Sequence, residues 1–345
     1  MTSRPGKRVA IVGGGPGAIS TGLAFLQRGY DVSIYELQPV CKAIGGAVLL
    51  STPVLAILRS YGLDLTNVGA PTVTYFKNKA GTDRVKLPFN TEVERRMGIK
   101  GWHYGVLRSS IFQKMLDLVF EGVIHADHKF TSYIKHDDYI ELFFKNSHRV
   151  TADILISTDG IRSKWVVKPS WKGKPVPDNL KAYLTSILKD WAQPIPRFLE
   201  VTNFTTHVYR WEIYNRPSMK TWSSGRVVCV RNTMHPVSPY AAYGMGIAIE
   251  DGYFLARELD GVDLRDVRAV SAGFELYEKL RVDYVNHHME FARFSGHLFH
   301  SVPRPLAYLR DWVFDYTPLL SGLLKRNYLR DAEEQSLRLT ELQVC

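Results

Sequence analysis

The sequence predicts an α/β protein: a Rossmann-like domain built on a parallel sheet, short inserted strands, and helices toward the C-terminal end. Three observations carry this prediction. Residues 9–12, "VAIV", form a short apolar run of the kind found in central parallel strands. Gly13, Gly15 and Ala18 follow at the G-x-G-x-x-G/A spacing, and Ile19, Leu23 and Leu26 then recur at helical intervals. A second strand pattern, "DVSIYE", ends on Glu36, about twenty residues beyond the first glycine.

Each part of this unit has a physical task. Gly13 allows a tight turn, Gly15 lets the backbone approach a pyrophosphate, and Ala18 lets the helix sit close to the strand. Gly17 belongs to the same turn. The helix opens at the glycines, so its amide groups and dipole face the phosphates. Glu36 is placed to accept hydrogen bonds from a ribose diol and to repel a 2′-phosphate. The unit therefore predicts an adenine-dinucleotide site.

Further along, Gly45, Gly46 and Ala47 lead into an amphipathic helix. "TVTYFK" and "DRVKLP" read as a hairpin around "NKAGT". "YGVLRSSIFQKML" places Arg108 at the start of a helix whose stripe is Ile111, Met115 and Leu118. "FTSYIK" and "DYIELFFK" read as a second strand pair, and "ADILISTDG" as a third sheet strand ending at Asp159-Gly160. "PSWKGKPVPDN" reads as an exposed loop, "DNLKAYLTSILKDW" as a helix and "TTHVYRWEIYNR" as a strand. Residues 225–230, "GRVVCV", form a buried strand, and a His-Pro loop then leads to a helix near Gly244. A long amphipathic helical run is expected from Leu264 to His288. The adjacent His287 and His288 point in different directions on a helix, so no metal site is expected there.

Composition bounds the function. The chain has 345 residues, 45% hydrophobic and 23% charged, with a formal net charge of +10. That suits a folded protein with a large core and a surface that attracts anionic cofactors. No basic run or recognition motif accompanies the charge, so nucleic acid is not an expected partner. Three widely spaced cysteines, Cys41, Cys229 and Cys345, exclude a disulfide framework and suggest a reducing, cytoplasmic setting. No secretory leader or transmembrane run is read. Residues 312–324 are apolar but broken by Asp315 and Pro318, which suggests packing or docking, with weak peripheral membrane contact as the other reading.

Taken in order, these segments resemble the single-component FAD-dependent aromatic hydroxylases, the family typified by p-hydroxybenzoate and salicylate hydroxylases, and most of all its fungal biosynthetic members. The resemblance implies a flavoprotein of the GR2 type, with FAD as cofactor and NAD(P)H as co-substrate. It implies an FAD site made of Gly13, Gly15, Gly17, Glu36, Gly46, Ala47, Arg108, Asp159, Asn232 and Gly244. It also implies hydroxylation or epoxidation of a bulky aromatic, polyketide or terpenoid metabolite. The expected division is an FAD-binding domain of residues 1–70, 100–165 and 222–290. A reduced substrate domain of 71–99 and 166–221 and a C-terminal helical segment of 291–345 complete it.

Two departures from the family pattern stand out. Arg231 and Asn232 occupy the places of a glycine and an acid in the last flavin motif. Asn232 keeps a carbonyl acceptor without the charge, while Arg231 loses the conformational freedom of glycine. The stretch from Gly160 to Arg231 is shorter than the family's substrate-covering sheet, so the pocket is expected to be more open. A flavin oxygenase needs a dry pocket, and both departures act against one. A cyclase or isomerase on the same scaffold, or a binding protein without turnover, therefore stays open. No side chain is compelled to be an acid or base. Tyr209, Arg210 and Tyr240 are pocket candidates only.

Overall fold

Strand β1 (Arg8–Val12) sits in the middle of the larger sheet because every residue after Arg8 is apolar and buried. The computed structural model describes residues 4–42, 46–88, 90–101, 103–158, 178–205, 208, 219–230 and 244–344. In it β1 pairs in parallel with β2 (Asp31–Tyr35) on one side and β12 (Ile154–Ser157) on the other. The sheet is completed by β8 (Ile124–His125), β14 (Val227–Cys229) and β13 (Ser223–Ser224), in the order β13-β14-β12-β1-β2-β8. Among the described strands of this sheet, β13 alone runs antiparallel to its neighbour.

The period of two along β1 feeds two cores. Val9 and Ile11 face α1 (Pro16–Gln27) and α7 (Gly244–Glu258), within the main cluster. Ala10 and Val12 face a smaller cluster with Ile140, Leu142 and Phe144. That second layer is the antiparallel sheet β11-β10-β9, made of β9 (Phe130–Lys135), β10 (Ile140–Phe144) and β11 (Arg149–Ala152). Arg226 ties the layers together. Its buried guanidinium donates to the carbonyls of Asp137, Asp153, Leu264 and Arg265.

A third sheet, β3-β7-β4, is formed by β3 (Ala47–Ser51), β4 (Ala70–Pro71) and β7 (His103–Leu107). Here the sequence expectation needs correction. Gly46 and Ala47 do not lead directly into a helix: Ala47 begins a strand, and α2 starts only at Thr52 (Thr52–Ser60). The reason is an antiparallel edge offered by β7, which pairs with every residue from Ala47 to Ser51. The expected hairpin is present as β5 (Thr74–Lys77) and β6 (Asp83–Leu87). Helix α3 (Thr91–Met97) follows, capped by Asn90, whose side chain accepts from the Glu92 and Val93 amides. Helix α4 (Arg108–Leu116) opens at Arg108, and α5 (Leu180–Leu188) and α6 (Ile195–Val201) form a small outlying pair.

The C-terminal part is helical. Helix α8 (Val267–His300) starts after Asp266, whose carboxylate accepts from the Arg268 and Ala269 amides. It runs well past His288, because its buried stripe continues through Phe291, Ala292 and Ser295. Helices α9 (Arg304–Tyr316) and α10 (Leu319–Arg338) then fold back over the hairpin side. Among the described residues, no helix is long and apolar enough to cross a membrane.

Candidate cofactor site

The carboxyl ends of β1 and β2 converge on the glycine turn. Gly13 donates to the carbonyl of Tyr35 at 2.9 Å and sits at φ +107, open to glycine and strained for other residues. A side chain there would meet the backbone of Thr158 at 2.8 Å. Gly15 is the N-cap of α1, with Pro16 and Gly17 opening the helix. No side chain caps this end, and its first turn holds no acid. Its free amides therefore present a partial positive charge to an anion.

Glu36 lies where its spacing predicts, at the lip of that turn. Its carboxylate accepts from the Gly14 amide at 2.6 Å and from the Gln38 amide at 2.8 Å. The loop beyond it folds back so that the Cys41 thiol donates to the Gly14 carbonyl at 2.8 Å. Burial, with Glu36 nearby, pushes that thiol up to about 11, so it keeps its proton and is not a nucleophile at neutral pH.

A second group of expected residues comes together at β3 and α4. The Arg108 amide donates to the Gly46 carbonyl at 3.0 Å, and Ala47 pairs with Leu107. Helix α4, which opens at Arg108, packs against α1. Its side chain is half-buried, and its Nε is buried without a hydrogen-bond partner among the described residues. Burial lowers its pKa from the usual guanidinium value, yet such a group remains a cation at neutral pH. A charged donor held this way is suited to a phosphate or a ring oxygen.

The third group is the start of α7. Ser20 of α1 donates to the Ile249 carbonyl at 3.0 Å, and Tyr30 after α1 donates to the Leu259 and Val262 carbonyls just beyond the end of α7. The two helices therefore run parallel, which brings Gly244 and Gly15 to the same end. Gly252 makes this possible: a Cβ there would meet the backbone nitrogen and Cα of Thr21 at 2.8 Å. Gly246 packs on Val54 of α2, so the start of α7 also adjoins the β3 side. The expected residues Gly45, Asp159, Gly160, Arg231 and Asn232, and the pocket candidates Tyr209, Arg210 and Tyr240, lie outside the described residues.

Some participants were not read from the sequence. Thr158 donates to the Val12 carbonyl at 2.8 Å and fixes the strand end beside Gly13; its position next to Asp159-Gly160 was the available signal. Cys41 reaches the turn through loop folding, for which the sequence holds no sign. The pair Glu250-Asp251 has a buried partner in α8: Arg281 donates to Asp251 at 2.8 Å and to Glu250 at 2.9 Å. His287 and His288 bond to Asn327 and Asp331 respectively.

These residues fit FAD. Uncapped amides open the helix that follows the glycine turn, the glycines leave room for close approach, and the buried Nε of the half-buried Arg108 has no partner among the described residues. No family model matches the chain. Among curated proteins it is similar to 6-hydroxynicotinate 3-monooxygenase of Bordetella bronchiseptica, with 22% identity over 93% of this chain and 99% of that one. It is also similar to zeaxanthin epoxidase of Nicotiana plumbaginifolia, with 23% identity over 81% of this chain and 53% of the relative. Among solved structures, Klebsiella pneumoniae HpxO complexed with FAD and uric acid superimposes with a TM-score of 0.76, at 19% identity, covering 95% of this chain and 96% of that one. The chain has the fold of the single-component FAD-dependent hydroxylases. In this flavoprotein fold, a separate cavity of about 770 Å³ lies between the β5–β6 hairpin, α8, α9 and α10. Phe76, Trp191, Phe299 and Tyr328 form aromatic walls around it.

Proposed function

We propose that the protein is an FAD-dependent monooxygenase that hydroxylates or epoxidises a bulky, partly apolar metabolite with NAD(P)H and O2. The observation that carries this reading is the glycine turn between β1 and α1, where Glu36, the uncapped helix end and the start of α7 come together. The curated relatives reported above are a monooxygenase and an epoxidase, and this supports the same class here. FAD, when bound, would carry electrons from NAD(P)H to O2 and deliver one oxygen atom to the substrate, the other leaving as water.

The protein's part is holding and shielding. Gly13, Gly15 and Gly17 with the α1 amides would hold the pyrophosphate, and Glu36 would exchange its Gly14 and Gln38 contacts for ribose hydroxyls. Gly46 and Ala47 would lie along the flavin, with Arg108 donating to it. Asp159, Asn232 and Gly244 are assigned by resemblance to the ribityl and pyrophosphate side. Residues 1–70, 100–165 and 222–290 would form the FAD-binding part and 71–99 with 166–221 the substrate part. The aromatic cavity beside the hairpin favours an apolar substrate on that side. A cytoplasmic setting suits a dinucleotide enzyme with a protonated, unbridged Cys41.

The test is NAD(P)H oxidation by purified protein reconstituted with FAD, followed with an oxygen electrode. Oxidation coupled to oxygen uptake supports the assignment. Bound FAD with no NAD(P)H oxidation, across both nucleotides and candidate aromatic substrates, would favour the non-redox cyclase or isomerase reading.

A further inference from the structure

We propose that helix α9 is a docking face for an anionic lipid surface. At about 100° per residue, Leu306, Tyr308, Leu309, Trp312 and Tyr316 fall in one arc of roughly 160°, with no charged residue inside it. All five are exposed: Tyr308 by 78%, Trp312 by 57% and Tyr316 by 75%. Leu319, the next helix's first residue, is exposed as well. A helix face of this kind on a folded protein calls for an occupant.

The rest of α9 is tied to the protein, with Asp315 bordering the apolar arc. Phe314 is buried, and Arg84 binds Asp315 at 2.6 Å and Asp311 at 3.4 Å. Arg310 donates to the Leu298 carbonyl at 2.8 Å and pairs with Asp311. The helix is thus pinned by ion pairs and leaves Leu, Trp and Tyr exposed. Its acids are neutralised from within, so they do not repel an anionic surface.

Charge decides the occupant. Arg304 opens α9, and Lys325 and Arg326 follow Leu319 within the first half of α10; all three are exposed and without an ion pair among the described residues, and Arg326 also lines the groove between α10 and α8. The chain as a whole carries +10. A second copy docked on this face by a two-fold axis would bring the same cations and the same net charge against themselves. An anionic bilayer surface complements them. Trp and Tyr rings suit the headgroup region, where one edge is apolar and the other wet.

The proposal does not depend on the flavin reading, and the test keeps the two apart. Full-length protein, with and without FAD, is co-sedimented with phosphatidylcholine vesicles and with vesicles also containing phosphatidylserine. Both forms should bind the anionic vesicles, with binding falling as salt rises. The double changes Leu309→Ser with Trp312→Ser, and Lys325→Glu with Arg326→Glu, should each weaken binding by about tenfold or more. These positions are exposed, so melting temperature and circular dichroism should stay unchanged. A wild type that ignores anionic vesicles, or variants that bind them as well as wild type does, would overturn the proposal. So would a dimer in sedimentation velocity that Trp312→Ser dissociates, with no vesicle binding, since the face would then be a protein interface.

Discussion

In the proposed function Glu36 serves two states. Its carboxylate closes on the Gly14 and Gln38 amides, the same lip of the turn that a ribose would occupy. Removing it loses a charged acceptor that the bound nucleotide would use. Glu36→Ala should weaken FAD binding by about 1–3 kcal/mol, measured by titrating apo-protein with FAD. Arg108 poses the converse case. Its buried Nε lacks a partner, so the chain alone gains little from the guanidinium. Arg108→Met should leave the melting temperature of the apo-protein unchanged or raised, while lowering the stabilisation that FAD confers. A large loss of apo stability would show that Arg108 serves the fold instead. The places of Glu36 after a strand and of Arg108 at a helix start were legible because each stands at a fixed offset from a local pattern. Thr158 and Cys41 were not, since they reach Gly13 and Gly14 across many residues of sequence, and no local pattern records such a meeting.

Two close contacts govern the helices. Gly252 lets α7 lie against the backbone of α1, and this keeps the two helix starts together. In Gly252→Ala the added carbon meets Thr21 backbone that has no room to move, so the helices must separate. The cost should be about 1–3 kcal/mol in urea unfolding, with weaker FAD binding because the α1 end shifts. The other contact joins α7 to α8 through Arg281, which is shared between Glu250 and Asp251 and fully buried. Burial raises the Glu250 carboxyl to about 7, with Arg281 opposing. In an unfolded chain it would titrate near about 4.3. The folded state therefore keeps a proton that the unfolded chain releases between those values. The stability this gives is full below about pH 4 and is lost as pH rises toward 7. Glu250→Gln should lack this decline, seen as a flatter melting temperature between pH 5 and 8 than in wild type. Parallel curves would remove Glu250 from the explanation. The acidic pair was visible in the sequence, but its partner lies thirty residues on in another helix, where tertiary packing alone selects it. Strand β3 escaped notice for a related reason: "AVLLS" lacks alternation, and only the edge of β7 makes it extend.

At the scale of the whole molecule, the parallel sheet, the glycine turn and the antiparallel layers were legible because their periods and turn residues are local. What positions the site is less local: parallel packing of α1 and α7, and α4 brought beside α1. The fold unites segments that begin near residues 13, 46, 108 and 244, which is the arrangement a long, extended cofactor requires. The claim that this arrangement grips FAD is tested most directly by an absorbance titration of purified, flavin-free protein with FAD. The account predicts a perturbed flavin spectrum that saturates at one FAD per chain. A flavin spectrum that stays that of free FAD at every protein concentration would contradict it.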